Sequence, residues 1–213
     1  MTEGSVFRQL VAFSLPLLLA NSLQTLYTTV DTLVVGRFVG TAALSAVSTC
    51  GELVNFYGMI GMGLASAGQI IIAQFVGKND KDSVGKTIGA MFSVLTVLAA
   101  LFSVLCILTL DRQLRWIKLP AEALADGRRY TLVSAVGFVF IYGYNAVSAA
   151  LRGMGDSKRP LLFVAIASVA NLLLDLLFVL GFGWGAFGAA LATIMGQAFS
   201  LVSSVIYLYR RKD

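Results

Sequence analysis

Histidine is absent from this 213-residue chain, so the side chain that most often shuttles protons near neutral pH is unavailable. Aspartate and glutamate are then the titrating groups left for any proton-coupled role. Charge is scarce as well: Asp, Glu, Lys and Arg make up 13% of the residues, where soluble domains carry about 25%. Only two cysteines occur, Cys50 and Cys106. They fall in or near apolar segments without metal-ligand spacing, and they read as small packing residues. No metal-ligand cluster and no activated nucleophile among the scattered serines supports an enzyme. No repeated acidic ring or filter motif supports a channel.

Apolar residues fill that space. They account for 58% of the chain, and the mean hydropathy is +0.84. A membrane-spanning helix needs about 20 apolar residues, and six stretches qualify: Val11–Val35, Leu53–Val76, Ile88–Leu110, Leu132–Leu151, Leu161–Leu180 and Ala186–Tyr209. The expected fold is therefore all-α, a polytopic membrane protein forming a single six-helix lobe over residues 1–213. Ala42–Gly51 is positioned to lengthen the second helix on its outer side, and Pro16 lies early in the first span. The first span is too long for a cleavable signal peptide and runs into Asn21, Gln24 and Asp31. The net charge of +5 does not point to nucleic acid, because the basic residues gather at the ends of spans.

Lysine and arginine assign the orientation. With the N-terminus inside, ten lie in cytoplasmic segments: Arg8, Lys78, Lys81, Lys86, Arg152, Lys158, Arg159, Arg210, Arg211 and Lys212. Six lie outside: Arg37, Arg112, Arg115, Lys118, Arg128 and Arg129. Both termini are thus expected in the cytoplasm of a cell whose plasma membrane holds the protein. The Asp111–Tyr130 connection dissents, and its mixed charges with Trp116 and Leu119 predict a short amphipathic segment lying at the interface.

Two carboxylates break the apolar pattern. Asp31 lies near the end of the first span and Asp175 in the middle of the fifth. A charge at mid-helix costs roughly 2.5–3.5 kcal/mol on insertion scales. Each therefore needs a bound cation, a proton, an interhelical hydrogen bond or a water-filled cavity. Asn171 precedes Asp175 by four residues and shares its helix face. Gln24, Tyr27, Asn145 and Gln197 are further polar residues in or near spans, suited either to a cavity wall or to interhelical hydrogen bonds. The glycine-rich run from Gly181 to Gly188 follows no strand and precedes no Lys-Ser/Thr pair. It reads as a tight external turn, not a phosphate loop.

Longer motifs carry a family resemblance. Gln24-Thr-Leu-Tyr-Thr-Thr-Val-Asp31-Thr-Leu-Val-Val-Gly-Arg-Phe-Val-Gly40 resembles the first helix of multidrug and toxic compound extrusion (MATE) transporters, nearest their bacterial branch. Ala150-Leu-Arg-Gly-Met-Gly-Asp-Ser-Lys-Arg-Pro160 is similar to that family's loop between helices four and five. Asn171-Leu-Leu-Leu-Asp175 and Gly185-Ala-Phe-Gly-Ala-Ala-Leu-Ala-Thr193 continue the pattern. The resemblance implies export of amphipathic, often cationic organic molecules, driven by inward Na⁺ or H⁺, with no other cofactor. It implies a coupling-cation site made by Asp31, Asn171, Asp175, Thr193 and the main-chain carbonyl of Ala189. All are oxygen donors of the kind that suit Na⁺. It also places Tyr130 at an aromatic position associated with proton-linked rearrangement, although a tyrosine at a membrane interface needs no function to explain it. Members of the family have about twelve helices in two lobes, and this chain has six. A second six-helix lobe or a homodimer would then complete the substrate cavity. The alternatives are a non-transporting fragment or membrane subunit, and a lipid-linked flippase of the same superfamily. The flippase would call for a strongly cationic cavity.

Overall fold

The computed structural model describes residues 6–210, and describes Val6, Tyr27 and Tyr209 by their backbone only. Arg211 and Lys212, counted above toward the cytoplasmic charge, lie outside the described residues. Among the described residues six long helices form, and each is long and apolar enough to cross a membrane, the fifth with its helical continuation to Gly181. They are α1 (Val6–Phe38), α2 (Thr41–Gly77), α3 (Lys81–Trp116), α4 (Leu124–Gly153), α5 (Lys158–Asp175) and α6 (Gly185–Arg210). Every expected span is present, and several helices exceed it. With 37 residues, α2 reaches roughly 55 Å at the rise of an α-helix. It therefore includes Ala42–Gly51 and overshoots the roughly 30 Å hydrocarbon layer.

The connections are short and chemically specified. Asn79 takes a left-handed turn (φ 56°) after α2, and Asp80 then caps α3. Ser83 donates to it twice, from its amide at 3.1 Å and from its hydroxyl at 2.7 Å. These bonds hold the Asp80 carboxyl below its ordinary range. Between α5 and α6, Gly183 (φ 67°) and Gly185 (φ 52°) adopt backbone angles that other residues rarely take, which produces the expected tight turn. Phe178, Phe182, Trp184 and Phe187 stack around it, with Phe178 and Trp184 5.3 Å apart. Such a belt suits the membrane interface.

The Asp111–Tyr130 connection differs from expectation. No separate interfacial helix forms there: α3 runs on to Trp116, and only the short 3₁₀ turn Ala121–Ala123 intervenes before α4. Leu119 and Ala123 are buried in the outer core beside Leu110 and Leu114, which draws the connection inward. Arg128 pairs with Asp111 at 3.6 Å across the two helix ends, so part of the dissenting outer charge is neutralised locally.

The helix α4 is central, packed on α2, α3 and α6, and Ala135, Ala146, Ala149 and Ala150 are completely buried. Close approach to α2 depends on missing side chains. A Cβ at Gly153 would lie 2.8 Å from the Gln69 carbonyl, and one at Gly61 2.7 Å from the Tyr142 ring. Polar bonds add to this packing. Tyr142 donates to the Tyr57 carbonyl at 2.6 Å, Gln113 donates to the Tyr57 hydroxyl at 2.8 Å, and Ser103 donates to the Ala135 carbonyl at 2.6 Å. At the cytoplasmic end, Arg152 donates to Gln69 and to Ser148, both at 2.9 Å. Cys50 and Cys106 are buried and free, in keeping with a packing role.

Candidate functional site

Three helices deliver the carboxyl site. α1 contributes Asp31, 7% exposed; α5 contributes Asn171 and Asp175, 3% and 1% exposed; α6 contributes Thr193. The helical spacing that put Asn171 and Asp175 on one face holds, and that face meets both α1 and α6. The Asp31 and Asp175 carboxyl groups lie within hydrogen-bonding reach of each other. One oxygen of each, Oδ1, is buried without any hydrogen-bond partner. Two carboxylates this close in an apolar lobe repel, and both lose hydration. A proton or a cation between them relieves both costs.

Asn171 bridges the site to α6. In the orientation that satisfies both ends of its amide, Nδ2 donates to Asp175 Oδ2 at 3.2 Å and Oδ1 accepts from the Thr193 main-chain N–H at 3.1 Å. Thr193 thus meets Asn171 through its backbone, a contact separate from the hydroxyl that the family resemblance implied. Ala189, one turn earlier on α6, is completely buried and packs in the outer core with Val34, Val35 and Val179. Those three flank Asp31 and Asp175 in sequence. The residues fit a hard cation: two carboxylates with unpartnered oxygens, beside an amide and a hydroxyl residue. Among the described residues, no three His, Cys, Asp or Glu side chains gather as a transition-metal site would require.

Two features of the surroundings escape a reading by hydropathy. Immediately after Asp175 the helix widens into a π-helical segment, Leu176–Gly181, and the Phe182 amide bonds back five residues to the Leu177 carbonyl at 2.9 Å. Such widened turns recur at functional sites. The second feature is a cavity of about 140 Å³ that reaches Asn171 and Thr193. Gln24, Asn145 and Gln197 line it, as their positions allowed, and so does Asn55, whose place in the second span was the available signal. Tyr27 cannot be placed, since its side chain lies outside the described residues. No lining residue carries a charge. Tyr130 stands apart from this site, buried in the outer core and facing Gly51 of α2.

Comparison with known proteins points one way. The MatE family profile matches residues 16–177. Over 99% of its length the chain is 34% identical to the probable multidrug resistance protein YpnP of Bacillus subtilis (strain 168), covering 47% of that protein. It is 30% identical to the probable multidrug resistance protein YoeA of the same organism, again over 99% of this chain and 46% of the relative. Among solved structures, an outward-facing multidrug resistance MATE family transporter of the MOP superfamily superposes with a TM-score of 0.90. The identity there is 26%, over 99% of this chain and 46% of the other. The chain spans about half the length of the curated relatives it matches.

Proposed function

This chain belongs to the MatE family, and from that premise we propose that it is the cation-binding, six-helix half of a multidrug exporter. Its work is cation-coupled antiport of amphipathic, often cationic organic compounds, with Na⁺ or H⁺ as the coupling ion. A second six-helix lobe, or a second copy of the chain, closes the substrate cavity. One observation carries the reading: the facing carboxyl groups of Asp31 and Asp175, each with a buried oxygen left without a partner. Polar groups are costly to keep in lipid, and within membranes they mark ion and substrate paths.

A bound cation supplies positive charge that offsets the repulsion between the two carboxylates. The chain's own residues do the rest. Asp31 ties α1 to the site and Asp175 ties α5, so occupancy alters how these helices are held together. Pro16, inside α1, removes one hydrogen bond of that helix and offers it a place to bend. Coupling requires that the cation bind the two forms of the lobe with different affinity. The neutral lining of the cavity favours organic cations over the phosphate-bearing lipids that a flippase would hold with basic side chains.

The test is transport in liposomes, with the chain reconstituted alone or together with a second six-helix lobe. A fluorescent organic cation is followed under an imposed Na⁺ gradient and then a pH gradient. Movement driven by one gradient and lost in Asp175→Asn supports the reading and names the ion. Well-folded protein that moves nothing under either gradient, even with the second lobe, refutes it.

A further inference from the structure

The geometry points to Gly196 as a positioning residue of the carboxyl site, acting through Asn171; this inference rests on the cation-site reading above. Gly196 lies three residues beyond Thr193 on α6. A Cβ built there would meet Asn171 Cβ at 3.2 Å, the Ala167 carbonyl oxygen at 3.3 Å and Asn171 Cα at 3.9 Å. Ala167 and Asn171 are one turn apart on α5, so the absent side chain lets the two backbones touch beside the site.

That contact sets how far Asn171 must reach. Its side chain is short and buried, and its Oδ1 takes the Thr193 N–H at 3.1 Å, already toward the long end for an N–H···O bond. The neighbours of an added methyl are a carbonyl and a Cβ fixed to the helix, which can yield only by moving α5 away. A displacement of a few tenths of an ångström relieves the overlap. The same displacement carries the 3.1 Å bond to Thr193 past the usual N–H···O limit of about 3.2 Å and weakens it. Asn171 and Asp175 move together on α5, so their own 3.2 Å contact is not lengthened directly. The amide, released at its α6 end, is instead free to turn, and its donor no longer points reliably at Asp175.

Gly188 supplies an internal control. A Cβ there would meet Phe178 at 3.1–3.2 Å, equally tight but against the π-helical segment and away from Asn171. Alanine at Gly188 should therefore disturb packing without releasing the Asn171 amide.

The experiment uses the chain purified in detergent with its five asparagines ¹⁵N-labelled, which leaves few side-chain amides to assign. In the unmutated chain the Asn171 amide protons should exchange far more slowly than those of exposed Asn79. Gly196→Ala should abolish this protection, and Gly188→Ala should keep it. Cation affinity is read from Trp184 fluorescence, since its ring stacks on Phe178 three residues beyond Asp175. In Na⁺ titrations, and in proton titrations without Na⁺, Gly196→Ala should weaken binding about 10–100-fold, as loss of an outer-shell support does. Added to Asn171→Ala, it should weaken binding no further, because the two act through one interaction. Fast exchange at Asn171 in the unmutated chain overturns the inference without any variant. An equal loss of affinity in both backgrounds also overturns it, by making the effect one of packing alone. A protected Asn171 in a chain that shows no transition removed by Asp175→Asn overturns the cation-site reading itself, and the role of Gly196 falls with it.

Discussion

Two buried polar clusters divide this lobe, and they treat their polar atoms in opposite ways. Between α2, α3 and α4, Gln113, Tyr57, Tyr142, Ser103 and Arg152 each hold a partner on another helix or turn. The Thr131 hydroxyl is an exception. It lies buried without an oxygen or nitrogen partner and faces the Cys50 thiol. Between α1, α5 and α6, two carboxylates are brought together and left with unpartnered oxygens. In a membrane interior, satisfied polar bonds hold helices in register, whereas unsatisfied ones impose a cost that a ligand can relieve. On the proposed reading, the difference separates the part of the lobe that fixes its shape from the part that responds to a cation.

Substitutions at the two clusters should therefore have different signatures. The largest effect is expected at the carboxylates. Asp31→Asn or Asp175→Asn should reduce coupled transport to background with no fall in thermal stability, because each removes a buried charge that the fold does not need. A large stability loss in either variant would place the pair among the structural contacts instead. Next come overpacking and broken networks in the other cluster. Gly61→Ala drives a methyl into the Tyr142 ring, which its own hydrogen bond holds in place. That should cost about 1–3 kcal/mol in an unfolding titration. Gln113→Leu strands the Tyr57 hydroxyl and should cost a similar ~1–3 kcal/mol. In both variants the cation midpoint should stay where it was, and a shift would blur the division between the clusters.

Ser103→Ala removes one bond from α3 to the Ala135 carbonyl and should cost about 0.5–1.5 kcal/mol, read in the same titration. The smallest effect belongs to Asp80, the cap at the head of α3. Its folded-state carboxyl is held below its ordinary value, so its capping contribution is fully present above the ordinary carboxylate range. The contribution is lost as the pH falls through the depressed value. Asp80→Ala should lower stability slightly at neutral pH, and the gap to the unmutated chain should close in strong acid.

The sequence made the spans and the carboxylates legible for the same reason: both are local. Twenty apolar residues, or one aspartate among them, can be recognised without knowing what lies opposite. Asn171 and Asp175 could be paired because one helix face relates them. What Asn171 meets on α6 could not be read, since it depends on the α5–α6 distance and hence on Gly196. The π-helical segment after Asp175 was equally hidden. Its residues, Leu-Leu-Phe-Val-Leu-Gly, are ordinary for a membrane helix, and it is the backbone of Phe178 that lies against Gly188. In the Asp111–Tyr130 connection the charges could be read, but not the burial of Leu119 and Ala123, which depends on packing against Leu110 and Leu114.

The most direct measurement is equilibrium cation binding by the purified chain, beside a variant carrying both Asp31→Asn and Asp175→Asn. Radioactive Na⁺ is followed at mildly alkaline pH, and proton uptake is followed on acidification without Na⁺. The account predicts that the unmutated chain takes up a cation, by one route or both, that the double variant does not. Superimposable curves for the two proteins in both titrations would contradict it.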